Sequence, residues 1–108
     1  MSKIILQINY KINASLADFT AFVTPMAEPI GSFPGLVWKI WLINEAELEG
    51  GGIYLFESLE AAQSFVNAPA VQGFAAHPMI GALNAKFFEG DEALSKVTRG
   101  PVAAVQKV

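Results

Sequence analysis

The sequence lacks the residues on which many sites depend, because its 108 residues include no cysteine and a single histidine. Without cysteine there are no disulfides, thiolate zinc sites, iron–sulfur clusters or cysteine nucleophiles. One histidine cannot build a site of several imidazole ligands. Motifs for a dinucleotide fold, a phosphate-binding loop and a hydrolase nucleophile elbow are also absent. We therefore predict no metal site and no dinucleotide cofactor.

Charge is scarce as well: charged residues make up 16% of the chain, where about 25% is usual, and the formal net charge is −3. Binding of nucleic acids requires clusters of lysine and arginine, so the negative net charge predicts no nucleic-acid partner. No apolar run reaches the ~18 residues that a membrane span needs, and the apolar stretch at the N-terminus is too short for a signal peptide. We expect a cytoplasmic protein of one domain, residues 1–108, with a C-terminal tail at 91–108.

The hydrophobic pattern predicts four strands and two main helices. Alternating or continuous short apolar runs place the strands at residues 3–11, 36–43, 52–57 and 80–89. The helices are predicted to begin after Ser15 and Ser58, and a further short helix is predicted at 71–76. The resulting order β-α-β-β-α-β indicates a ferredoxin-like α+β fold, in which a four-stranded antiparallel sheet carries its helices on one face.

Two further details follow from proline and glycine. Pro25 and Pro29 fall inside the first helical pattern, so we expect a kink near 21–24 and fraying after Glu28. The run 50–52 consists of three glycines, which we interpret as a flexible hairpin turn before the third strand.

Both faces of the predicted sheet carry apolar residues, although the helices cover only one. We place Ile4, Leu6, Ile8, Leu36, Trp38, Ile40, Leu42, Ile53 and Leu55 under the helices. The helix-free face then holds Ile5, Gln7, Asn9, Val37, Lys39, Trp41, Ile43, Tyr54, Phe56, Asn84, Lys86 and Phe88. A solvent-facing sheet does not normally expose so many aromatic side chains. We therefore predict a homodimer through the helix-free sheet face, which makes a dimeric α+β barrel.

Several stretches resemble the YdhR family of mono-oxygenases, in the dimeric α+β barrel superfamily. The most specific are Trp-Lys-x-Trp at 38–41 and Gly-Gly-Ile-Tyr-Leu-Phe at 51–56, and the similarity extends over about residues 5–96. The resemblance implies a homodimer that oxidises a small electron-rich aromatic or polyketide-like compound without a cofactor. The chain departs from the family pattern at Asn9 and within 67–77.

Such a reaction needs an apolar cavity, a proton acceptor and a group that stabilises an anion. The candidate proton-handling residues are Tyr54, His77 and Glu28. The candidate substrate-binding residues are Trp38, Lys39, Trp41, Tyr54, Phe88 and Lys86, of which the two lysines are candidates to stabilise the anion.

Four of the candidates can also be interpreted as residues with a purely structural role. Trp38 suits the core, and Lys39 can bury its stem and pair its ammonium with Glu28 or with a partner-chain carboxylate. Tyr54 either lines a cavity or bridges two subunits. His77 precedes Pro78 and suits a helix terminus.

Two other functions stay open at this point. One is a homodimer that binds a small aromatic ligand without catalysis. The other is a barrel that binds or degrades haem, with His77 as the axial ligand, because related barrels bind haem.

Overall fold

The computed structural model describes residues 3–102. Its sheet has four antiparallel strands in the order β2-β3-β1-β4. The strands are β1 (Ile4–Ile12), β2 (Leu36–Asn44), β3 (Glu49–Phe56) and β4 (Ile80–Glu89). The helices are α1 (Leu16–Val23), α2 (Ala27–Gly31), α3 (Leu59–Val66), α4 (Pro69–Ala76) and α5 (Glu92–Val97). This order confirms the predicted α+β, ferredoxin-like fold, with the first predicted helix divided into α1 and α2. The helices α3 and α4 correspond to the helix predicted after Ser58 and to the short helix predicted at 71–76, although α4 begins earlier, at Pro69. Within the described residues, no helix is long and apolar enough to cross a membrane.

The helix starts follow the predicted capping. The Ser15 hydroxyl accepts a hydrogen bond from the Asp18 amide, and the Ser58 hydroxyl accepts one from the Ala61 amide. The predicted kink is present, because α1 ends at Val23 and a 3₁₀ turn, Thr24–Met26, contains Pro25. The predicted fraying after Glu28 is wrong, since α2 continues to Gly31.

One face of the sheet, which we call the helix side, forms the core with α1, α3 and α4. Alternate residues of β1 from Ile4 to Ile12 are buried there, together with Phe19, Phe56 and Phe65. Leu6 lies opposite Tyr54, and Ile4 lies opposite Phe56, in the β1–β3 register. Partners across an antiparallel pair point to the same face. Tyr54 and Phe56 therefore lie on the helix side.

This finding corrects the face assignment for β3 and β2. In β3 the apolar pairs Ile53/Leu55 and Tyr54/Phe56 alternate, so hydrophobicity alone cannot set the phase of the strand. Ile53 and Leu55 lie on the opposite face, which we call the helix-free side.

In β2 the register shifts between Leu36 and Trp38, as a β-bulge does. Leu36 lies opposite Phe56 on the helix side, while Trp38 lies opposite Leu55 on the helix-free side. The bulge inverts every later residue of the strand relative to the prediction. It turns Trp38, Ile40 and Leu42 to the helix-free side, and Lys39, Trp41 and Ile43 to the helix side.

The assignments for β1 and β4 are confirmed. Ile5 lies opposite Phe88, Gln7 opposite Lys86 and Asn9 opposite Asn84, all on the helix-free side.

The C-terminal segment covers part of this side. The Trp38 indole Nε1 donates a hydrogen bond to the Pro101 carbonyl oxygen at 3.0 Å, and Val102 and Leu55 are buried. The predicted tail is thus docked as far as Val102, and 103–108 lie outside the described residues.

Candidate functional site

A cavity of about 480 Å³ lies between the helix side of the sheet and the helices. All four strands contribute to its floor, through Ile8, Tyr10, Trp41, Tyr54, Leu83 and Ala85. The helices and the 3₁₀ turn supply the remaining walls, which are almost entirely apolar. The prolines that divide the first helix take part directly, since Pro25 and Pro29 both line the cavity. A ligand in this space would be held chiefly by shape and apolar contact.

Aromatic rings form one wall of the cavity. Phe22 on α1 and Phe74 on α4 are stacked, with an interplanar angle of 10° and ring centroids 5.8 Å apart. The Tyr10 ring meets Phe74 edge-on at 5.3 Å. Aromatic pairs prefer offset or edge-to-face arrangements. The wall therefore presents aromatic surface that suits a flat apolar ligand.

The three glycines at 50–52 lie in a strand next to residues of the cavity floor, and their interpretation as a hairpin turn is wrong. They belong to β3 and pair with Tyr10, Asn9 and Ile8 of β1, while the hairpin turn lies at 45–48. A Cβ on Gly50 would lie 2.8 Å from the Tyr10 ring. A Cβ on Gly52 would lie 2.7 Å from the Lys39 Cε atom and 3.0 Å from the Tyr54 ring. The absent side chains provide the space that these larger groups occupy.

Lys39 is held among aromatic rings at the edge of the cavity. Its Nζ atom lies 3.2 Å from the centroid of the Trp41 ring and 4.6 Å from that of the Tyr54 ring, and both rings line the cavity. Within residues 3–102, no carboxylate oxygen lies within 4 Å of this amine. Burial among apolar groups disfavours the charged form and lowers the pKa of Lys39 to about 7. The amine therefore exists in both forms near neutral pH.

The two cavity tyrosines behave in the opposite way. Burial raises the pKa of Tyr10 to about 12. Burial, and to a lesser degree the neighbouring Tyr10, raises the pKa of Tyr54 well above its usual range. Both side chains stay neutral phenols at physiological pH, so they can donate hydrogen bonds but are poor proton acceptors.

The structure brings together three of the residues predicted from the sequence. Trp41 and Tyr54 line the cavity, and Lys39 contacts the rings of both. Trp38, Lys86 and Phe88 lie on the other side of the sheet, so they cannot share one site with this cavity. If they bind a ligand, they do so at the helix-free side.

The two remaining candidates lie near the cavity but not in its lining. Glu28 is exposed on α2, between the lining residues Met26 and Pro29. His77 ends α4, as expected for a helix terminus, and its ring packs on Phe22 with the centroids 4.4 Å apart. The His77 Nδ1 atom accepts a hydrogen bond from the Met79 amide.

Sequence reasoning missed much of the lining. Tyr10, Phe22, Met26 and Phe74 line the cavity, and none of them is among the predicted site residues. The sequence signal they share is that large or aromatic side chains occur on one strand and two helices that pack together on the helix side of the sheet. The glycines opposite Tyr10 were a second signal, since glycine in a strand marks a close approach.

A bound haem would need an axial ligand inside the cavity. The sole histidine of the chain is not among the lining residues. Tyr10 and Tyr54 are there, but their raised pKa values oppose the phenolate form that binds iron. The residues of this cavity do not fit haem ligation.

The fold and the cavity together define a class: small ferredoxin-like domains with an apolar pocket between the sheet and its helices. The family model described as "Putative mono-oxygenase ydhR" matches residues 5–101. The chain therefore belongs to this family. No curated protein sequence matches the chain significantly.

Solved structures of low sequence identity share the fold. SnoaB, a cofactor-independent oxygenase from Streptomyces nogalater, is 14% identical with a TM-score of 0.69, over 84% of this chain and 95% of SnoaB. Protein SO0527 from Shewanella oneidensis is 10% identical with a TM-score of 0.69, over 82% of this chain and 91% of the other. The haem degrader MhuD from Mycobacterium tuberculosis, solved with two haems in its active site, is 23% identical with a TM-score of 0.61, over 80% of this chain and 94% of MhuD.

Proposed function

We propose that this protein is a cofactor-independent mono-oxygenase that oxidises a small electron-rich aromatic or polyketide-like compound. The observation that carries the proposal is the cavity of about 480 Å³ on the helix side, whose apolar lining includes aromatic rings. Family membership supports the reaction class. The fold shared with SnoaB is compatible with a reaction that uses no cofactor.

The chemistry balances without a further reductant. An aromatic hydroxyl loses its proton, and the resulting electron-rich anion donates electrons to dioxygen. One oxygen atom becomes a new carbonyl on the ring, and the other leaves as water together with two substrate hydrogens. A phenol is thereby oxidised to a quinone, with all four electrons supplied by the substrate. The protein's part is to hold the substrate, exclude water and handle the proton.

The test is dioxygen uptake with a panel of hydroquinones and enolic aromatics, with no metal or flavin added. Ala75 lines the cavity from α4, and its neighbour Ala76 is exposed outside it. We expect Ala75→Phe to reduce uptake at least tenfold by filling the cavity, and Ala76→Phe to leave it unchanged. Circular dichroism checks that both variants fold. Equal uptake in the two variants would contradict a reaction in this cavity.

Binding without catalysis is the alternative outcome. A Trp38→Phe variant leaves Trp41 as the sole tryptophan, so quenching of its fluorescence reports occupancy of the cavity. Saturable quenching by the same aromatics, with no dioxygen uptake by any of them, would leave a ligand-binding protein. For haem, a Soret band that disappears in His77→Ala would be the required sign.

We propose further that the protein is a homodimer through the helix-free side of the sheet. The corrected faces keep this prediction but change its residues: Trp41, Ile43, Tyr54 and Phe56 no longer belong to the helix-free side. Ile40 and Phe88 now carry it, at 50% and 48% exposure on the two edge strands. Apolar residues this exposed on one sheet face favour burial against a second copy.

A further inference from the structure

We propose that Lys39 is the proton acceptor of the cavity: its neutral amine takes the proton of a bound aromatic hydroxyl, and its ammonium then pairs with the oxyanion. This inference rests on the proposed function, because it assumes that an aromatic hydroxyl enters the cavity. It differs from a fixed anion-binding role, in which the lysine would already be charged.

The position of the amine is the first support. The β2 bulge turns Lys39 to the helix side, and its stem runs over Gly52 towards the rings of Trp41 and Tyr54. The Nζ atom therefore lies beside two rings that line the cavity. Lys39 itself is not among the lining residues, so the hydroxyl of a bound ligand has to reach Nζ at the edge of the Trp41 or Tyr54 ring.

The surroundings of the amine are the second support. Glu28 of α2 and Glu49 of β3 are the carboxylates of neighbouring elements, and neither lies within 4 Å of Nζ among the described residues. Glu49 pairs instead with Lys11, at 3.7 Å. Tyr10 and Tyr54 are the titratable groups facing the cavity, and burial keeps both neutral.

Among residues 3–102, Lys39 thus has no carboxylate within 4 Å to hold its proton before the substrate arrives. Once protonated, the amine is stabilised by the faces of Trp41 and Tyr54. The environment that allows a neutral amine therefore also stabilises the ammonium formed by the transfer. The new oxyanion stabilises this ammonium further.

The proposed step is balanced and produces no net charge. The O–H bond of the ligand breaks, an N–H bond forms at Nζ, and the electron pair stays on the ligand oxygen. A neutral amine and a neutral hydroxyl become an ammonium–oxyanion pair. Such a pair is tolerated in an apolar site where a lone anion is not.

The experiment uses 2-naphthol as the probe and 2-methoxynaphthalene, which has no acidic proton, as its control. Both are titrated into the full-length protein at a pH between the pKa of Lys39 and that of free 2-naphthol. Absorbance shows whether the bound probe is naphthol or naphtholate. Calorimetry in buffers of different ionisation enthalpy counts the protons exchanged on binding.

The wild type is expected to bind naphtholate with no net release of protons, because the proton moves to Lys39 and the attraction between ammonium and oxyanion offsets the higher pKa of the free naphthol. Neutral naphthol bound to the wild type would contradict the transfer. Lys39→Arg, which is always charged, is expected to release one proton for each naphtholate bound. Lys39→Met is expected to bind the probe as neutral naphthol, and Lys39→Gln serves as a second neutral variant. Dioxygen uptake with a true substrate should fall by roughly 10²–10⁴-fold in the two neutral variants.

Two further results would overturn the role of Lys39 while leaving the mono-oxygenase intact: release of a proton by the wild type, or naphtholate bound to Lys39→Met. Failure of 2-methoxynaphthalene to bind any variant would overturn the cavity as a site and both proposals with it. Proton transfer to Lys39 without dioxygen uptake by any aromatic would refute the oxygenase alone.

Discussion

The two sides of the sheet differ in what fills the space above them. On the helix side, large rings such as Phe56 and Phe65 are buried between the sheet and the helices. The helices also lie far enough from the sheet to leave a cavity. On the helix-free side, the docked C-terminal segment contacts Trp38 and Leu55 is buried, while Ile40 and Phe88 remain half exposed. The centre of the helix side is thus covered within the chain, although Ile43 and Phe87 on that side are 49% and 39% exposed. The helix-free side has no helices over it and is covered where the tail reaches it.

This difference distinguishes two uses of apolar surface, self-association and ligand binding, which the sequence alone does not tell apart. Aromatic residues on β2 and β3 favour either self-association or a ligand cavity, because both remove apolar surface from water. The register decides between these uses, and it assigns Trp41 and Tyr54 to the cavity. Residues of the helix side should therefore control stability and ligand binding, whereas Ile40 and Phe88 should control association.

The largest difference is expected between two phenylalanines. Phe56 is fully buried on the helix side, so Phe56→Ala should lower the free energy of unfolding by about 3–5 kcal/mol. Phe88 is 48% exposed, and Phe88→Ala should change the stability of the folded monomer by less than about 1 kcal/mol. Urea unfolding at several protein concentrations separates this effect from association. Similar losses in the two variants would refute the assigned faces.

Association provides the next comparison, with two isoleucines of β2 that are almost equally exposed. Ile40, at 50%, lies on the helix-free side, and Ile43, at 49%, lies on the helix side. Ile40→Glu should weaken the dimer at least about tenfold, since a carboxylate would enter an apolar interface. Ile43→Glu should leave it unchanged. Sedimentation velocity at micromolar concentration measures both, and a monomeric wild type would refute the dimer.

The overall fold was predictable because it depends on patterns that single residues do not decide. Alternation identified β1 and β4 and their faces, and serine caps fixed the starts of α1 and α3. The faces of β2 and β3 were not predictable in the same way. In β3 both alternating sets of residues are apolar. In β2 one inserted residue at the bulge moves every later side chain to the opposite face of the sheet. Neither feature leaves a mark in hydrophobicity.

The candidate site depended on those same strands, so it was predictable only in part. Trp41, Tyr54 and Lys39 were identified as side chains with suitable chemistry, but the assigned face placed them away from the helices. Lys39 was expected as an anion-stabilising group or an ion-paired surface residue. Its surroundings of rings, with no close carboxylate among the described residues, arise from packing between elements.

A glycine pair tests how tightly the helix-side floor is packed. A Cβ on Gly52 would meet the Lys39 stem and the Tyr54 ring, so Gly52→Ala should destabilise the protein by about 1–3 kcal/mol and displace the amine. Gly73 in α4 has open space at this position, and Gly73→Ala should stabilise the helix by about 0.5–1 kcal/mol. Thermal unfolding shows whether each substitution lowers or raises the stability. A neutral or stabilising Gly52→Ala would show that the floor is loosely packed.

The last comparison is a pH dependence that only the helix side should show. Lys39 has a pKa of about 7 in the folded protein and 10.5 as the usual value for an unfolded chain. Between these values the unfolded chain holds a proton that the folded protein has released, so stability rises with pH by at most about 1.4 kcal/mol per unit. Below the lower value both states are charged, and the slope from this group vanishes.

Subtracting the Lys39→Met profile from the wild-type profile isolates this contribution, because the other titrating groups are common to both proteins. We expect the difference in unfolding free energy to shift in favour of the wild type from about pH 7 to about pH 10. Lys39→Arg is the matched control, because its guanidinium stays charged throughout this range and its profile should therefore lie parallel to that of Lys39→Met. A Lys39→Met profile parallel to the wild type would mean that Lys39 keeps its proton throughout this range, and that it cannot accept another from a bound hydroxyl.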